Sequence, residues 1–430
     1  MKIIIKESSM IRPAEDLPNQ HQWLSNLDLL HERNHVPTVY FYKSDKYPNS
    51  LEAKALKEAL SKVLVPFYPV AGRLGRDDNG RLEINCNNEG VLFIEAQTDS
   101  EIDDIGDLML NVEIPQLIPS VDNSQGISSF PLFGAQVTTF KCGGLSLGLR
   151  FHHTLADGFG ALHLINTWCD VARGLSITTP PFMDRTILRC RVPPTPKFKH
   201  IEFEKPLPMD SPTQIDTLQQ NCIEIFKITA QQLETLKTKV KNSDGKRNYT
   251  SYEILTAHIW RCTCKARGLS DHQPARLRIA IDGRSRLDPP LPPCFFGNVI
   301  FFAALIALSS EVLSETLEDT VERIDKEIRR MDNEYLRSAN DYLEVLDDLT
   351  PILIGAHSCR CPNLGIISWV RLPFYDADIG MGKPIYVRPA NPPEGKGYIL
   401  RSPSNDGSWQ LAIFLQEDHM QSFQRLFYQF

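Results

Sequence analysis

The residues with the clearest chemical potential are His152 and His153, which close an apolar stretch and are followed by Asp157, four positions after His153, and by Gly158. Imidazole is the side chain whose basic form is populated near neutral pH without help, so a His held within reach of a nucleophile can act as a general base. A lone His at a strand end is ordinarily structural. Here an Asp can anchor the far side of a turn, and Gly158 supplies freedom at positive φ, so the loop can hold one imidazole at a fixed angle. His153 is therefore the expected base. Asp157 admits two roles, orienting the ring or anchoring the loop. A serine nucleophile would need a Gly-x-Ser-x-Gly elbow at a strand-to-helix turn. None is expected, which favours direct transfer between two bound substrates over an enzyme-bound intermediate.

The flanking elements must hold that loop. Residues 135–140 and 145–151 read as strands around Lys141-Cys142-Gly143-Gly144, and the second strand runs into His152. Apolar positions Leu162, Leu164, Ile165, Trp168, Val171 and Ala172 predict a helix over 160–172 that stops at Gly174. Similar spacing predicts a helix over 51–64, ended by Pro66. The turn-rich stretch 85–90 between two β-like runs predicts a hairpin over 81–96. Prolines crowd the region after Ile177 and mark 177–218 as a crossover linker. Beyond it the pattern predicts a strand over 222–228 and helices over 231–241 and 251–264. A long charged helix follows over 311–337, then short strands at 366–370, 398–401 and 410–415, and a last helix over 420–427. The fold class is α/β, with an N-terminal lobe over 1–176 and a C-terminal lobe over 219–430.

The 430 residues exceed the ~250–300 at which one core stops growing, in keeping with two domains. A net charge of −7 without runs of like charge gives no footprint for nucleic acid. The start, Met1-Lys2-Ile3-Ile4-Ile5-Lys6, is a strand and not a signal peptide. The longest apolar run, 299–308, falls short of the ~20 residues that span a bilayer. A cytoplasmic chain with no membrane partner is expected. Ten cysteines fit reduced, buried thiols. The pairs Cys262/Cys264 and Cys359/Cys361 are too closely spaced for a zinc site, so no metal is expected.

The chain resembles the plant BAHD acyltransferases over its whole length. His153-Thr154-Leu155-Ala156-Asp157 matches their HxxxD signature, and Asp378-Ile379-Gly380-Met381-Gly382-Lys383-Pro384 stands in the place of DFGWG, with Ile379 and Met381 departing from the pattern. Leu64-Val65-Pro66-Phe67-Tyr68-Pro69-Val70-Ala71-Gly72-Arg73-Leu74, Asp282-Gly283-Arg284-Ser285-Arg286 and Phe296-Gly297-Asn298-Val299 look like the hydroxycinnamoyl-CoA shikimate/quinate branch. The resemblance implies two chloramphenicol-acetyltransferase-like lobes, each a mixed sheet with flanking helices, and an active-site channel between them. It implies transfer of an acyl group from a coenzyme A thioester to an alcohol or amine, by a monomer with no permanently bound cofactor. His153 would be the base, Trp369 the oxyanion donor, and Asp157 a structural residue paired with Arg284. Asp378 would shape the channel, a direct proton-accepting role being its other reading.

For the coenzyme, Thr250 and Ser251 at a helix start, with Lys246 and Arg247, could hold phosphate, or could form an ordinary cap beside a solvated basic loop. His35, Thr38 and Tyr40 match a stretch that lines the acceptor pocket in shikimate-using relatives. Those relatives place an Arg and a Thr where this chain has Ile354 and Ile367. The exchange makes the pocket apolar, so shikimate and quinate are expected to bind poorly. The expected donor is a hydroxycinnamoyl or related aromatic thioester, and the acceptor a less polar alcohol, phenol or aromatic amine, or an acid whose carboxylate is held elsewhere.

Overall fold

A computed structural model describes residues 1–43, 53–105, 114–209, 221–240, 248–390, 393–404 and 406–430. The chain forms two compact units. The first comprises Met1–Arg189, Leu291–Val299 and Leu372–Asn391, and the second Cys190–Pro290, Ile300–Arg371 and Pro392–Phe430. The linker expected over 177–218 is thus divided between the units at Arg189, and two later segments of the expected C-terminal lobe belong to the first unit.

The first unit contains β1 (Ile4–Ile11), β2 (Gln20–Trp23), β3 (His35–Tyr42), β4 (Arg73–Arg76), β5 (Leu82–Cys86), β6 (Val91–Gln97), β7 (Phe133–Thr139) and β8 (Leu145–His152). The second contains β9 (Asn221–Ile228), β10 (Pro274–Asp282), β11 (Ile300–Leu308) and β12 (Asn363–Ser368). The chain then returns to the first unit as β13 (Tyr386–Pro389) and ends in the second with β14 (Lys396–Arg401) and β15 (Trp409–Gln416). Each unit is built on a six-stranded mixed sheet, ordered β1-β6-β7-β8-β3-β13 in the first and β11-β10-β12-β14-β15-β9 in the second. A small sheet, β2-β5-β4, completes the first unit.

The helices are α1 (Asn26–Leu29), α2 (Ala53–Val63), α3 (Gly158–Ala172), α4 (Ala230–Lys239), α5 (Ser251–Ala266), α6 (Ser309–Ser314), α7 (Leu317–Arg330), α8 (Asn333–Glu344) and α9 (Glu417–Phe427). Helix α2 buries Leu56, Ala59, Leu60 and Val63, one stripe at helical spacing. It packs on α3, where the fully buried Trp168 donates its indole N–H to Leu56 O at 2.9 Å. Helix α3 stops where the period predicts, with Gly174 at φ +84°. In the second unit α5 is buried on nearly every side, from Glu253 to Ala266, and packs against α7, α9 and β12.

Two sequence expectations are corrected. The runs at 81–96 do not form a hairpin, because β5 pairs with β2 and β4 whereas β6 pairs with β1 and β7. The turn between them, with Asn88 at φ +58° and Gly90 at φ +93°, carries the chain from one sheet to the other. Alternation shows that a segment is a strand but not which strand it pairs with. The single helix expected over 311–337 is three helices. Thr316 and Asp319 form a capping box that starts α7, and Asp332 caps α8, so each cap satisfies amides that a continuous helix would not leave free. The apolar run at 299–308 is β11.

Strand β8 ends in His152 and leads directly into His153, and its path depends on Gly148. A Cβ there would lie 1.9 Å from Leu117 O, a backbone atom with no room to yield. Gly148→Ala is expected to destabilise the protein by about 1–3 kcal/mol through overpacking, read as a lowered urea midpoint at unchanged slope.

Candidate functional site

Strand β8 ends at His152, and the next residue, His153, leaves the sheet. Its amide donates to Asn34 O at 3.2 Å, and its ring stacks on that of His31, 3.7 Å between centroids and 11° between planes. The ring's Nδ1 lies 3.1 Å from Asn298 Oδ1. Asn298 in turn donates Nδ2–H to His153 O at 2.8 Å and to Asp28 Oδ1 at 2.9 Å, and its backbone N–H to the same Asp28 oxygen at 2.8 Å. The other oxygen, Asp28 Oδ2, accepts from Ser25 N and Ser25 Oγ, both at 2.8 Å, and is ion-paired with Arg185 Nη1 at 3.1 Å. Asp28 and Arg185 have no exposed side-chain surface. Arg185 also donates to Thr154 O at 3.2 Å and Leu155 O at 2.5 Å, clamping the loop that follows His153.

Asp157 is the cap of α3. Its Oδ1 accepts from the amides of Phe159 at 3.1 Å and Gly160 at 3.2 Å, and its Oδ2 from Val299 N at 3.0 Å. The partner at His153 Nδ1 is thus Asn298, and Asp157 spends its oxygens on backbone. Gly158 does not use positive φ, as the sequence suggested; it is the first residue of α3. Space is tight there, a Cβ at Gly158 coming to 3.0 Å from Leu372 Cδ1, and it is tighter at Gly160, where a Cβ would sit 2.6 Å from Ala156 Cβ.

The chain does contain one Gly-x-Ser-x-Gly string, Gly144-Leu145-Ser146-Leu147-Gly148. It lies in the turn and body of β8 and not at a strand-to-helix turn, and Ser146 is fully buried. An elbow presents its Ser at a sharp exposed turn, so this serine is no nucleophile.

The acceptor-side candidates divide. The pleat of β3 puts His35 on the face opposite to that of Thr38 and Tyr40. His35 stands across from His152 in register, with ring centroids 5.0 Å apart, and its Nε2 lies 2.9 Å from Pro131 O. Thr38 is half-buried and Tyr40 wholly buried. In the second unit Ile354 is buried and Ile367 half-buried. Trp369 follows β12, donates its amide to Ile399 O at 2.8 Å and packs on Tyr398 with centroids 4.5 Å apart. Arg284 donates Nη1 to Asp282 Oδ1 at 3.1 Å.

Asp378 ties its own loop. Its Oδ1 accepts from Gly380 N at 2.8 Å and Gly382 N at 3.0 Å, both glycines having positive φ, while Oδ2 lies 3.5 Å from Arg173 Nη1. That geometry gives it the work of shaping a turn. Lys246 and Arg247 lie outside the described residues. Thr250 forms a capping box with Glu253, whose carboxylate accepts from Thr250 N at 2.6 Å, and Ser251 is the first residue of α5. A carboxylate already occupies that helix start, which makes it a poor phosphate cradle. Asn298, Asp28, Arg185 and His31 were not singled out as site residues from sequence; only Asn298 lay within a stretch carrying the family resemblance.

The chain is thus built as two mixed-sheet units, with a His-x-x-x-Asp loop leading from strand to helix in the first. F. graminearum TRI101 complexed with ethyl coenzyme A has the same fold, with a TM-score of 0.79 at 16% identity over 95% of this chain and 97% of that one. The profile of the Transferase family matches residues 1–430. Shikimate O-hydroxycinnamoyltransferase of Nicotiana tabacum is 51% identical over 100% of both chains. Hydroxycinnamoyl-CoA:5-hydroxyanthranilate N-hydroxycinnamoyltransferase HHT4 of Avena sativa is 46% identical over 99% of both. The chain belongs to this Transferase family, the BAHD acyltransferases.

Burial pushes the imidazole of His152 down to about 3 and that of His35 to about 4, from an ordinary 6.5. Both rings therefore stay neutral in the fold while the unfolded chain takes up protons. Their contribution is whole above pH ~6.5 and is lost as the pH falls from there, towards about 4 for His35 and about 3 for His152, by up to ~1.4 kcal/mol per pH unit for each ring. Urea titrations across that window should show wild-type stability falling more steeply than that of the His35→Gln/His152→Gln variant. Equal slopes would count against the assignment.

Proposed function

We propose that the protein transfers a hydroxycinnamoyl or related aromatic acyl group from its coenzyme A thioester to an aromatic alcohol, phenol or amine, with His153 Nε2 as general base. The observation that carries this reading is the 3.1 Å contact of His153 Nδ1 with Asn298 Oδ1, which supports a ring with its proton on Nδ1 and its lone pair on Nε2. The acceptor's O–H or N–H proton passes to Nε2 as its heteroatom attacks the thioester carbonyl. The tetrahedral intermediate then expels the thiolate, which takes the proton from the imidazolium and leaves as free coenzyme A. No acyl-enzyme forms. On the family pattern, the indole N–H of Trp369 stabilises the oxyanion, a contribution of about 2.7–4 kcal/mol for one such donor. The same pattern pairs Asp157 with Arg284 as structural partners.

Relatives named for O- and for N-acyl transfer are 51% and 46% identical to this chain, so aromatic amines belong in the acceptor class beside alcohols and phenols. The buried Ile354 supports an apolar acceptor pocket. An isoleucine offers no charge-assisted hydrogen bond to a carboxylate, a contact worth ~1.5–3 kcal/mol. Shikimate and quinate are therefore poor acceptors.

With 4-coumaroyl-CoA and an acceptor panel, thiol release should depend on an aromatic acceptor and fall about 10²–10⁴-fold in His153→Ala. The Ile354→Arg/Ile367→Thr variant should gain roughly 10- to 150-fold in kcat/KM for shikimate. Wild-type turnover of shikimate matching that of the best aromatic acceptor would refute the substrate assignment.

A further inference from the structure

We propose that the buried Asp28–Arg185 pair is a tautomer lock for His153, holding the imidazole proton on Nδ1 and the lone pair on Nε2 by fixing the amide of Asn298. This rests on His153 acting as the base, and it makes Asp28 and Arg185 positioning residues that never meet substrate. A carboxamide has two orientations of nearly equal shape, so the partners decide which end is oxygen. Here both partners of Nδ2, Asp28 Oδ1 and His153 O, can only accept. Rotating the amide by half a turn would set its oxygen against both and lose two hydrogen bonds. Asn298 Oδ1 therefore faces the ring, and an acceptor 3.1 Å from Nδ1 requires that nitrogen to carry the proton.

The lock is as firm as the carboxylate behind it. Asp28 accepts four hydrogen bonds, two on each oxygen, and its Oδ2 is ion-paired with Arg185 Nη1 at 3.1 Å. An amide in its place would turn an N–H towards donors whichever way it rotated. Arg185 supplies the opposite charge that lets this carboxylate remain buried, and through Thr154 O and Leu155 O it holds the same loop whose first residue is the base. The Asp therefore does at one remove what a carboxylate does directly in a Ser-His-Asp triad, with a neutral amide as the intermediary. Unlike a carboxylate at Nδ1, that amide places no charge on the ring.

The test is nitrogen-15 NMR of the His153 ring, assigned by its loss in His153→Gln, together with steady-state kinetics. Wild type should show a protonated Nδ1 and a bare Nε2. In Asp28→Asn, or in Asp28→Asn/Arg185→Met, where no charge is stranded should the single variant fail to fold, the Nε2–H tautomer should become populated. In the same variants kcat should fall about 10²–10⁴-fold with KM for coumaroyl-CoA nearly unchanged. A wild-type ring protonated on Nε2 would overturn the proposal. So would a variant ring that keeps its proton on Nδ1, whether or not kcat falls, since a loss of rate with the tautomer intact marks a merely structural pair. Wild-type protein with the Nδ1–H ring but no thiol release would instead defeat the acyl-transfer reading and leave the lock standing.

Discussion

A single buried charge, the carboxylate of Asp28, organises the loop at the centre of the first unit. With no exposed surface it can persist only with a cation beside it, and stranding either partner of such a pair costs about 3–5 kcal/mol. Arg185 is that cation, and its Nη1 and Nη2 donate to the carbonyls of Thr154 and Leu155. The pair thereby ties together three stretches that lie far apart in the chain: the start of α1, the loop after β8, and the segment containing Asn298. The loop is short, and within it Leu155 N donates to His152 O at 3.0 Å to close a single turn. Its shape must be imposed from outside, and a fully buried guanidinium with a fixed fork of donors can do that.

A second carboxylate divides the work. Asp28 grips the segment through Asn298 N, and Asp157 grips it one residue on through Val299 N, while Asp157 N donates back to Gly297 O at 3.4 Å. Residues 297–299 are thus held between two acidic side chains, one behind the imidazole and the other at the start of α3. This explains why a stretch from late in the chain belongs to the first unit. It also explains the division of roles, since a carboxylate that caps a helix and holds a neighbouring strand has no oxygen left for the ring.

What was legible in the sequence was local. The β7–β8 hairpin, the helix after the loop and its stop at Gly174 are each set by residues within a few positions of one another, so periodicity and glycine placement suffice. The break of 311–337 into three helices was written in Thr316, Asp319 and Asp332, but a run dense in charge reads as one solvated helix unless each cap is sought. The pairing of β5 and β6 with different sheets was not legible, because alternation carries no partner information. Least legible was the network behind His153. Asp28 and Asn298 are separated by 270 positions, and neither type of residue is rare enough to stand out. The only signal was Asn298's place in Phe296-Gly297-Asn298-Val299, whose meaning became visible once the fold set Asp28 against it.

Under the proposed function, this construction separates catalysis from substrate choice. Every group that shapes the loop is backbone, a buried charge or a buried amide, and these interactions are strong because they are dry. They are also intolerant of change, since any replacement leaves a donor or a charge without a partner. Positions such as Ile354 and Ile367 belong to a different regime. A branched alkyl group there asks nothing of its neighbours beyond volume, and under the proposed function exchanging it for a polar side chain alters what a ligand meets. On the proposed reading, relatives acting on different acceptors can share one loop to the last hydrogen bond. Their divergence then concentrates where burial is apolar and the cost of substitution is a packing cost of order 1–3 kcal/mol and not a stranded charge.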